Sequence, residues 1–577
     1  MLVYCDTEVY SNYFLACFKN ESGKTIMLDS FEGQKLDIEK LKRILKTCTI
    51  VTFNGINYDL PILHKAMRGA SCQEIKNLSD YIIKEDGKPR VLESPVCKHI
   101  DLFKIIPNVV SLKGCGARIN VKTIQDLPFD PDEPISENMR EDLKTYCLND
   151  LNITESLFNK LSDALDLRRS LSAEYKIDVM NKSDQLIGET ILKYYLLKKG
   201  VNVFRRENIK PFKYILPDFI QFKNQVFNTL LETIKPIYFK VGTSGRVLNE
   251  NALLSAVVFN KNKYQFGIGG LHSKEKTVAI APLKGEILGE FDVTSMYPSI
   301  IIQQRLYPTH LDKTFVKIYK MIYNKRLAAK RVDDTFLSGV YKLILNSAYG
   351  KFGSKYSFLY SPELLIQTTL TGQLVLLMLV EKLSKFCKII SANTDGVTVL
   401  FKSLDTKEVD NIVFEWELET GLNLEFTKYT NYHARDVNNY IAIKENGKAK
   451  RKGLYAEGSL TKNFANLVCV ESIINYLATG YNCEDYILKE KDITKFLTIR
   501  RVTGGGKWKE DYLGKVVRWY YAKGGEPIIY VKNGNKVPKT DGCKPMMTLT
   551  DAIPKDLDYD WYYNECRSIC KDIGVIC

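Results

Sequence analysis

The chain has 577 residues, of which 45% are hydrophobic and 26% charged, so its composition is that of a globular protein and excludes a disordered or fibrous one. At this length several domains are expected. The formal net charge of +14 favours a polyanionic partner, because cations that neutralise phosphates release condensed counterions. Many basic proteins bind no nucleic acid, so the charge alone does not identify the partner.

Cysteine usage and hydropathy indicate where the protein acts. The 14 cysteines are scattered without a CxxC pair, which predicts free buried thiols in a reducing cytosol rather than zinc ligands or disulfides. We find no apolar run near the roughly 18 residues that a membrane span needs. The N-terminus shows no signal peptide. We therefore expect a cytoplasmic protein with no membrane contact.

The N-terminal part of the chain predicts strands followed by helices. An apolar strand covers residues 2–5, and further strands are expected near 13–18 and 49–53. A helix is predicted over about 136–161, with Ser136 as its N-cap. A second helical stretch is predicted over about 171–199.

The rest of the chain mixes both kinds of element. A strand reaches Asp292, and helices are predicted near 313–331, 333–352 and 365–386. Strands at 388–392 and 397–401 are joined by a tight turn. Residues 504–507 are expected in a loop, but the spacing of a P-loop is absent. Contact of that basic loop with a DNA backbone remains open.

Acidic residues in the first 150 positions form an ordered set. Asp6 and Glu8 are two apart on a strand and so share a face. Asp59 closes the segment Asn-Gly-Ile-Asn-Tyr-Asp, while Tyr146 and Asp150 are four apart on a helix. Converging carboxylates repel one another unless divalent cations intervene, and Mg²⁺ prefers such oxygen ligands. Each motif alone is common at strand ends and on helices; their order is the informative feature.

This set resembles the three exonuclease motifs of the DEDDy proofreading domain of family B DNA polymerases. The resemblance implies a ribonuclease-H-like α/β domain over about residues 1–170 and 3′→5′ exonuclease activity. It also implies that Asp6, Glu8, Asp59 and Asp150 are metal ligands, and that Tyr146 orients the attacking water.

A second motif, Asp292-Val-Thr-Ser-Met-Tyr-Pro-Ser-Ile300, comes directly off a strand and resembles the family B motif DxxSLYPSII. The resemblance implies that Asp292 and the Val293 carbonyl bind metal and that Ser295 contributes to nucleotide binding. Tyr297 occupies the sugar-discriminating position, where its ring would clash with a 2′-hydroxyl, so the substrate is expected to be dNTP.

The two helices that follow form a cationic hairpin. Arg326 and Lys330 are four apart on the first, and Lys342 lies on the second. By itself this is typical of a solvated basic face. However, Lys342-Leu-Ile-Leu-Asn-Ser-Ala-Tyr-Gly350 resembles the family's KxxxNSxYG motif. The resemblance implies that the three cations bind the incoming triphosphate, and that Asn346 and Tyr349 line the nascent base-pair pocket.

Asp395 lies in the turn Asn393-Thr-Asp-Gly396, which resembles the family's DTDS motif with its first Asp and its Ser replaced. Alone, this sequence would be an ordinary hairpin turn. The resemblance makes Asp395 the second catalytic carboxylate. Two Mg²⁺ (or Mn²⁺) ions per active site are implied, one at the primer 3′-hydroxyl and one at the departing pyrophosphate.

Weaker matches give candidate DNA contacts. Residues 266–271, with Gly269 and Gly270, resemble the YxGG/A element. Thr369 and Gly372 fall in a TxxGR-like segment with Gln373 in place of Arg, and Tyr440 falls in a KxY-like segment with Asn438 in place of Lys. Each replacement removes a cation near DNA, which puts the detailed primer and template contacts in question.

The resemblance covers about residues 1–460 and implies a mixed α/β and α+β multidomain protein, an exonuclease domain followed by a right-hand polymerase. The expected parts are the exonuclease (1–170), a connecting region and start of the palm (171–290), first palm segment (291–305), fingers hairpin (306–357), second palm segment (358–437), and thumb with C-terminal region (438–577).

The expected partners are primed template DNA, dNTPs and replication accessory proteins. The first motif lies at residue 6, and this compactness is similar to phage or mobile-element polymerases, which would place the protein in a bacterial host's cytoplasm. Only 50 positions separate Asp292 from Lys342, which is shorter than in the protein-primed branch and predicts priming from a nucleic-acid 3′-end. Two alternatives remain: a stand-alone exonuclease whose second half grips DNA, and a catalytically dead DNA-binding subunit.

Overall fold

The computed structural model describes residues 1–84, 93–207, 209–248 and 256–576. These residues form two compact units, each built from separated segments of the chain. The first unit comprises Met1–Ser183, Glu457–Val468 and Lys489–Tyr562. The second comprises Asp184–Ala456, Cys469–Leu488 and the residues from Tyr563 onward.

The N-terminal part of the first unit is a three-layer α/β structure. Its strands are β1 (Leu2–Val9), β2 (Tyr13–Asn20), β3 (Thr25–Phe31), β4 (Thr49–Thr52) and β5 (Lys98–Asp101). Its helices are α1 (Ile38–Thr47), α2 (Asp59–Met67), α3 (Cys72–Lys84), α4 (Leu112–Arg118), α5 (Arg140–Lys160) and α6 (Ser162–Tyr175). The order is β3-β2-β1-β4-β5, with β1 to β3 antiparallel and β4 and β5 parallel to β1. This arrangement is the expected ribonuclease-H-like sheet.

Alternation along β1 decides which face carries the acidic residues. Val3 and Cys5 pack in a core with Leu41 of α1, on one side of the sheet. Tyr4 packs on the other side, in a core with Leu151 of α5. Successive strand residues point to opposite faces, so the even-numbered residues after Tyr4 carry their side chains toward α5.

The second unit is built on a large, mainly antiparallel sheet. Its first elements are α7 (Asp184–Lys198), β6 (Phe212–Lys213), α8 (Gln225–Ile234), β7 (Tyr238–Phe239), β8 (Ala256–Phe259), β9 (Asn262–Gln265), β10 (His272–Ser273), β11 (Val278–Ile280), β12 (Glu286–Val293) and α9 (Met296–Gln303). Next come α10 (Thr314–Arg331), α11 (Thr335–Lys351), α12 (Pro362–Leu383), β13 (Cys387–Asn393), β14 (Gly396–Lys402), α13 (Thr406–Thr420), β15 (Leu424–Asp436), β16 (Asn439–Lys444) and β17 (Ala449–Arg451). The sheet order is β17-β16-β15-β12-β14-β13-β10-β9-β8, with β11 paired to β15.

Most predicted elements of this unit are confirmed. The helical hairpin α10–α11, helix α12 and the β13–β14 hairpin lie within a few residues of their expected positions. The single helical stretch predicted over 171–199 is wrong, because α6 ends in a left-handed Lys176 and α7 begins only at Asp184. Residues 439–451, expected at the start of the C-terminal region, form β16 and β17 of the large sheet.

Helix α12 corrects the expectation that no apolar run is long enough to span a membrane. It has 22 residues and a mean hydropathy of 1.6 over its most apolar window, but it is mostly buried within the protein. Its Val375 carbonyl accepts a hydrogen bond from the indole of Trp416, 3.0 Å away, in the same core. Its apolar sequence is thus accounted for by packing in the centre of a fold.

The last elements are α14 (Leu467–Thr479), α15 (Cys483–Lys489), β18 (Thr498–Trp508), β19 (Asp511–Tyr521), β20 (Ile529–Tyr530), β21 (Cys543–Pro545) and α16 (Tyr559–Asp572). Strands β18 to β21 form a sheet of order β20-β18-β19-β21. The loop predicted at 504–507 is wrong: these residues belong to β18, where Gly504 and Gly505 adopt positive φ angles beside a register irregularity. The multidomain α/β and α+β class is confirmed.

Candidate active sites

The first candidate site lies on the α5 face of β1. Carboxylate oxygens of Asp6 and Glu8 and the Sγ of Cys147 all lie within 4.8 Å of one another. The Cys147 thiol is 3.7 Å from Asp6 Oδ2 and donates to it. The motif analysis identified the two carboxylates but missed Cys147, although it directly follows the predicted Tyr146.

Asp59 joins this group through β1. It begins α2 and is buried, and its Oδ1 accepts a hydrogen bond from the Thr7 hydroxyl, 2.7 Å away. The loop before it is held by Asp101, whose carboxylate accepts from the backbone N–H groups of Asn54 and Ile56 at 2.7 and 3.1 Å. Asp101 therefore positions the second predicted motif, a role that the sequence did not indicate.

The third predicted motif reaches the site through a lysine. Lys113 of α4 forms an ion pair with the buried Asp150, and its Nζ lies 4.3 Å from the centroid of the Tyr146 ring. Lys113 lies outside all three motifs, so spacing arguments could not identify it. The structure thus connects the five predicted residues, but Asp150 and Tyr146 are joined to the carboxylates by a cation.

The electrostatics of this site explain why a metal fits. Burial raises the pKa of Asp6 to about 6, and burial together with the Asp6 charge raises the pKa values of Glu8 and Asp59 well above their usual range. Burial also lowers the pKa of Lys113 to about 8. Crowded carboxylate oxygens that are costly to ionise are a donor set suited to Mg²⁺ or Mn²⁺, whose charge offsets the repulsion.

The second candidate site lies where β12 meets the β13–β14 turn. Asp292 is directly opposite Gly396 in the β12–β14 ladder, and the Val293 N–H donates to the Asp395 carbonyl at 2.7 Å. Burial, Glu290 and Asp395 together raise the pKa of Asp292 to about 6, against the opposing effect of Lys450. The two predicted carboxylates are therefore close enough for the charge of Asp395 to raise the pKa of Asp292, as is expected of a shared cation site.

Glu290 and Lys450 also belong to this site, and the sequence analysis named neither. Lys450 Nζ lies 2.6 Å from Glu290 Oε2 and 3.4 Å from Asp292 Oδ2. The Tyr429 hydroxyl donates to Glu290 Oε2 as well. Glu290 could have been found from its position two residues before Asp292 on the same strand face. Lys450 comes from another strand, and no local pattern points to it.

The glycine that departs from the DTDS motif has a steric reason. A Cβ placed on Gly396 would lie 2.5 Å from Asp292 Oδ1 and 2.8 Å from Glu290 Oε1. A serine in this backbone would therefore force both carboxylates to shift. Glycine leaves room for the Asp292 and Glu290 side chains in the positions they occupy.

The asparagine that departs from the same motif stabilises the hairpin. The Asn393 side-chain amide donates to the Val437 carbonyl at 2.8 Å, and its oxygen accepts from the Thr394 hydroxyl at 3.1 Å. An aspartate carboxylate could not make the first of these bonds, because it has no donor when ionised. The replacement therefore fixes the turn and does not displace Asp395.

The glycine-rich element packs against that same turn. A Cβ on Gly270 would lie 3.2 Å from the backbone Cα of Thr394, and the Thr394 N–H donates to the Leu271 carbonyl at 2.8 Å. Gly269 faces open space. The predicted DNA contact at Gly270 is better described as support for the β13–β14 turn, while the contact at Gly269 stays a prediction.

Two other predicted DNA contacts lie in the core of α12. Thr369 is buried and its hydroxyl donates to the Leu365 carbonyl at 3.0 Å, within α12. Gly372 is also buried, and a Cβ there would lie 3.2 Å from Cε1 of Tyr297. Both residues pack inside the second unit, and their contact with DNA stays a prediction. Gln373, which replaces the expected arginine, bonds the backbone N–H and carbonyl of Gly267 at 3.0 and 2.6 Å.

Tyr440 is buried beside the palm carboxylates. Its ring lies 5.1 Å from that of Tyr432. Burial, with the charges of Glu290, Asp292 and Asp395, raises its pKa. The position is near enough to the site to feel these charges, and its contact with DNA stays a prediction.

The helical hairpin α10–α11 places basic side chains next to the second candidate site. Arg326 hydrogen-bonds the Ser295 hydroxyl, and Lys330 Nζ lies 2.6 Å from Oε1 of Glu425, which is opposite Asp292 in the sheet. Ser295 itself has a φ of +51°, an uncommon angle for a non-glycine residue and one that often marks functional segments. Two of the predicted phosphate ligands thus lie next to the predicted catalytic strand.

The remaining predicted nucleotide contacts lie on or against α11. Lys342 and Asn346 are exposed. The ring of Tyr349 stacks on that of Tyr297, with centroids 4.4 Å apart and planes 16° from parallel. The sugar-discriminating candidate Tyr297 therefore stacks on Tyr349 of the Lys342–Gly350 motif.

Comparisons with known proteins give one curated relative and one solved structure of interest. A protein called "DNA polymerase" from Acidianus bottle-shaped virus (isolate Italy/Pozzuoli) is 28% identical over 153 residues, which are 23% of this chain and 23% of the relative. The match thus spans less than a quarter of that relative's length. The relative's name agrees with the resemblance that the motifs carry.

The family B DNA polymerase from the archaeon Pyrobaculum calidifontis aligns with a TM-score of 0.44 and 16% sequence identity, covering 100% of this chain and 78% of that one. At this score the likeness does not by itself decide the fold. No protein-family model matches the chain.

Proposed function

We propose that this chain is a DNA polymerase of the family B type, which extends a primed DNA template with dNTPs at the site formed by Asp292 and Asp395. The observation that carries the proposal is the position of Asp292 opposite Gly396 in the β12–β14 ladder, next to Asp395, whose carbonyl accepts from the Val293 N–H at 2.7 Å. Arg326 and Lys330 of the helical hairpin lie beside this strand. Carboxylates next to cations are the components that phosphoryl transfer from a triphosphate requires.

The residues of the palm site fit two divalent cations. Asp292, Asp395 and the Val293 carbonyl would hold Mg²⁺ or Mn²⁺, and bound ions supply activation of a primer hydroxyl and neutralisation of pyrophosphate. Arg326, Lys330 and the exposed Lys342 would bind the triphosphate. A guanidinium can do so through paired hydrogen bonds.

Selection of the nucleotide is assigned to the aromatic pair. Tyr297, fixed by its stacking on Tyr349, would present its ring where a ribonucleotide carries its 2′-hydroxyl. Asn346 and Tyr349 would line the nascent base pair. We therefore expect dNTPs to be strongly preferred over ribonucleotides.

We further propose that the first site is a 3′→5′ exonuclease that proofreads. Asp6, Glu8, Asp59 and Asp150 would supply carboxylate ligands, and Tyr146 would orient the attacking water. Lys113, through its contacts with Asp150 and Tyr146, would hold the third motif in place. What supports this is the convergence of three separate motifs around β1.

Primer extension with single-site variants tests both proposals. With primed template, dNTPs and Mg²⁺, Asp292→Ala should abolish extension and leave degradation of a single strand intact. Asp6→Ala should do the reverse. Extension that survives Asp292→Ala would refute the palm assignment, and degradation that survives Asp6→Ala would refute the exonuclease assignment.

The same assay separates the alternatives. A stand-alone exonuclease would degrade DNA but never extend it, and a dead subunit would bind DNA and do neither. The bond from Asn393 to Val437 removes the reason for expecting a dead subunit, because that replacement has a role in the turn. Extension without a protein primer would support priming from a nucleic-acid 3′-end, as expected of a compact phage or mobile-element enzyme.

A further inference from the structure

Strand β12 carries two acidic side chains into the palm site, although the proposed chemistry uses only one of them. Glu290 and Asp292 are two residues apart and share a face of the strand. The Glu290 side chain is only 8% exposed. A third carboxylate beside Asp292 and Asp395 adds repulsion, so it requires a countercharge.

Lys450 supplies that countercharge from another strand. It lies opposite Ala442 in the β16–β17 ladder, and its side chain is 34% exposed. Its Nζ is 2.6 Å from Glu290 Oε2 but 3.4 Å from Asp292 Oδ2. Glu290 is thus the nearer partner, and the Tyr429 hydroxyl holds the same Glu290 oxygen.

The geometry around Asp292 shows that this contact is built in. Its Oδ1 lies against Gly396, where a Cβ would be only 2.5 Å away, and its Oδ2 faces Lys450. The carboxylate is therefore bounded by backbone on one side and by a cation on the other. Lys450 thus stands beside Oδ2, the carboxylate oxygen that does not lie against Gly396.

We propose that Lys450 is a positioning residue of the palm site: anchored on Glu290, it orients the Asp292 carboxylate and gives way at Oδ2 when a divalent cation binds. The inference rests on the proposed polymerase function. The free site then holds a cation weakly. When a cation arrives bound to a triphosphate, the negative charge of the triphosphate balances that of Lys450. Metal and nucleotide therefore bind together.

Metal binding without DNA or dNTP tests this inference. The background is Asp6→Ala/Glu8→Ala, which removes two carboxylates of the other site, and free Mn²⁺ is measured by electron paramagnetic resonance. Lys450→Met should tighten Mn²⁺ binding, lowering Kd roughly three- to tenfold, since a countercharge is lost. Glu290→Gln should weaken Mn²⁺ binding, because Lys450 is then left to Asp292 alone.

Steady-state extension gives the second readout. At saturating Mn²⁺, Lys450→Met should lower kcat by about tenfold with little change in the KM for dNTP, because the orientation of Asp292 is lost while nucleotide binding is kept. Lys450→Arg keeps the charge and should stay near the parent in both assays. Tighter metal binding with slower turnover is a combination that a merely structural role does not produce.

The controls separate this inference from the proposed function. Asp292→Asn in the same background should remove the Mn²⁺ component; if no such component exists, the palm assignment itself fails. If the component depends on Asp292 but its Kd is unchanged in a folded Lys450→Met, the positioning role is overturned. If Lys450→Met is too unstable to measure, Glu290→Gln takes its place. An unchanged Kd for Mn²⁺ in Glu290→Gln would also overturn the positioning role of Lys450.

Discussion

The two carboxylate sites each contain a lysine, but the two lysines differ in exposure and in the direction in which their pKa values are shifted. Lys113 has a side chain only 14% exposed, whereas that of Lys450 is 34% exposed. Burial lowers the pKa of Lys113 to about 8 despite the nearby Asp6 and Glu8. Burial acts in the same direction on Lys450, but Glu290 and Asp292 outweigh it and raise its pKa above the ordinary value.

The comparison shows that an acidic neighbour does not by itself raise the pKa of a lysine; the balance between desolvation and attraction decides. Asp59 and Asp150 of the first site are buried and Asp6 and Glu8 are half-buried, while Asp292 has a side chain 37% exposed.

The largest expected effect is loss of a palm carboxylate. Asp395→Asn should reduce extension by roughly a thousandfold or more, because a ligand for the cations that stabilise the developing charge is removed. Degradation of single-stranded DNA should be unchanged. Extension and degradation rates on the same labelled primer measure both effects.

If Asp395→Asn reduced both activities equally, the two sites would not be independent, and the comparison between them would fail. Asp59→Asn is the matched variant at the first site. It should remove degradation and leave extension, which makes the test symmetrical.

A methyl group at Gly396 should have the next largest effect. Gly396→Ala places a Cβ 2.5 Å from Asp292 Oδ1, so the carboxylate has to move. A displacement of about 1 Å at a catalytic group costs up to a hundredfold in rate. We expect extension to fall by that order, with degradation unaffected.

Gly339→Ala is the control for this substitution. A Cβ there meets nothing within 4 Å, so extension should match the parent. Normal extension by a folded Gly396→Ala would mean that Asp292 is not held where the β12–β14 ladder places it.

How far the sequence predicts these sites depends on the kind of residue. Asp6, Glu8, Asp292 and Asp395 were found because each lies on a strand or in a hairpin turn and belongs to a local motif. Lys113 and Lys450 were missed because each reaches its site from a separate element, and only tertiary structure brings them there. Motif spacing records local geometry and carries no information on such partners.

Two other features of the structure have a related explanation. Thr369 and Gly372 were predicted to contact DNA because they lie in a motif, and nothing in that motif indicates that helix α12 buries them in the core of the second unit. The end of α6 at Lys176 was missed because a left-handed residue other than glycine gives little sequence signal. Local patterns therefore predict neither burial in the core nor such a helix end.

The stacked pair of Tyr297 and Tyr349 gives a smaller expected effect, on the choice between dNTP and ribonucleotide. Tyr297→Ala should reduce the preference for dNTP over ribonucleotide by roughly ten- to a hundredfold, since the ring that clashes with a 2′-hydroxyl is removed. The ratio of kcat/KM for the two nucleotides measures it. Tyr349→Phe keeps the stacking surface and should leave the ratio near the parent value. An unchanged ratio in Tyr297→Ala would remove this role.

The smallest expected effect is the pH dependence of the two activities, about tenfold in rate per pH unit beyond a pKa. It distinguishes Lys113 from Lys450 directly. The pKa values of Asp6 and Asp292 are both raised to about 6 without a cation, so below that pH protons compete with the divalent cation for both carboxylates and both activities should fall together. Above about pH 8 Lys113 loses its proton and its ion pair with Asp150, so degradation should decline. Lys450 has a raised pKa and stays charged, so extension should persist.

Lys113→Arg is the matched variant for this alkaline limb, because a guanidinium remains protonated throughout the range. Its degradation should no longer decline above pH 8, although the acid limb near pH 6 should remain. Rates of both activities from pH 5 to pH 9.5, on one DNA at constant ionic strength, give the profiles. A decline that persists in Lys113→Arg, or that appears equally in extension, would show that desolvation of Lys113 does not set the alkaline limit of the first site.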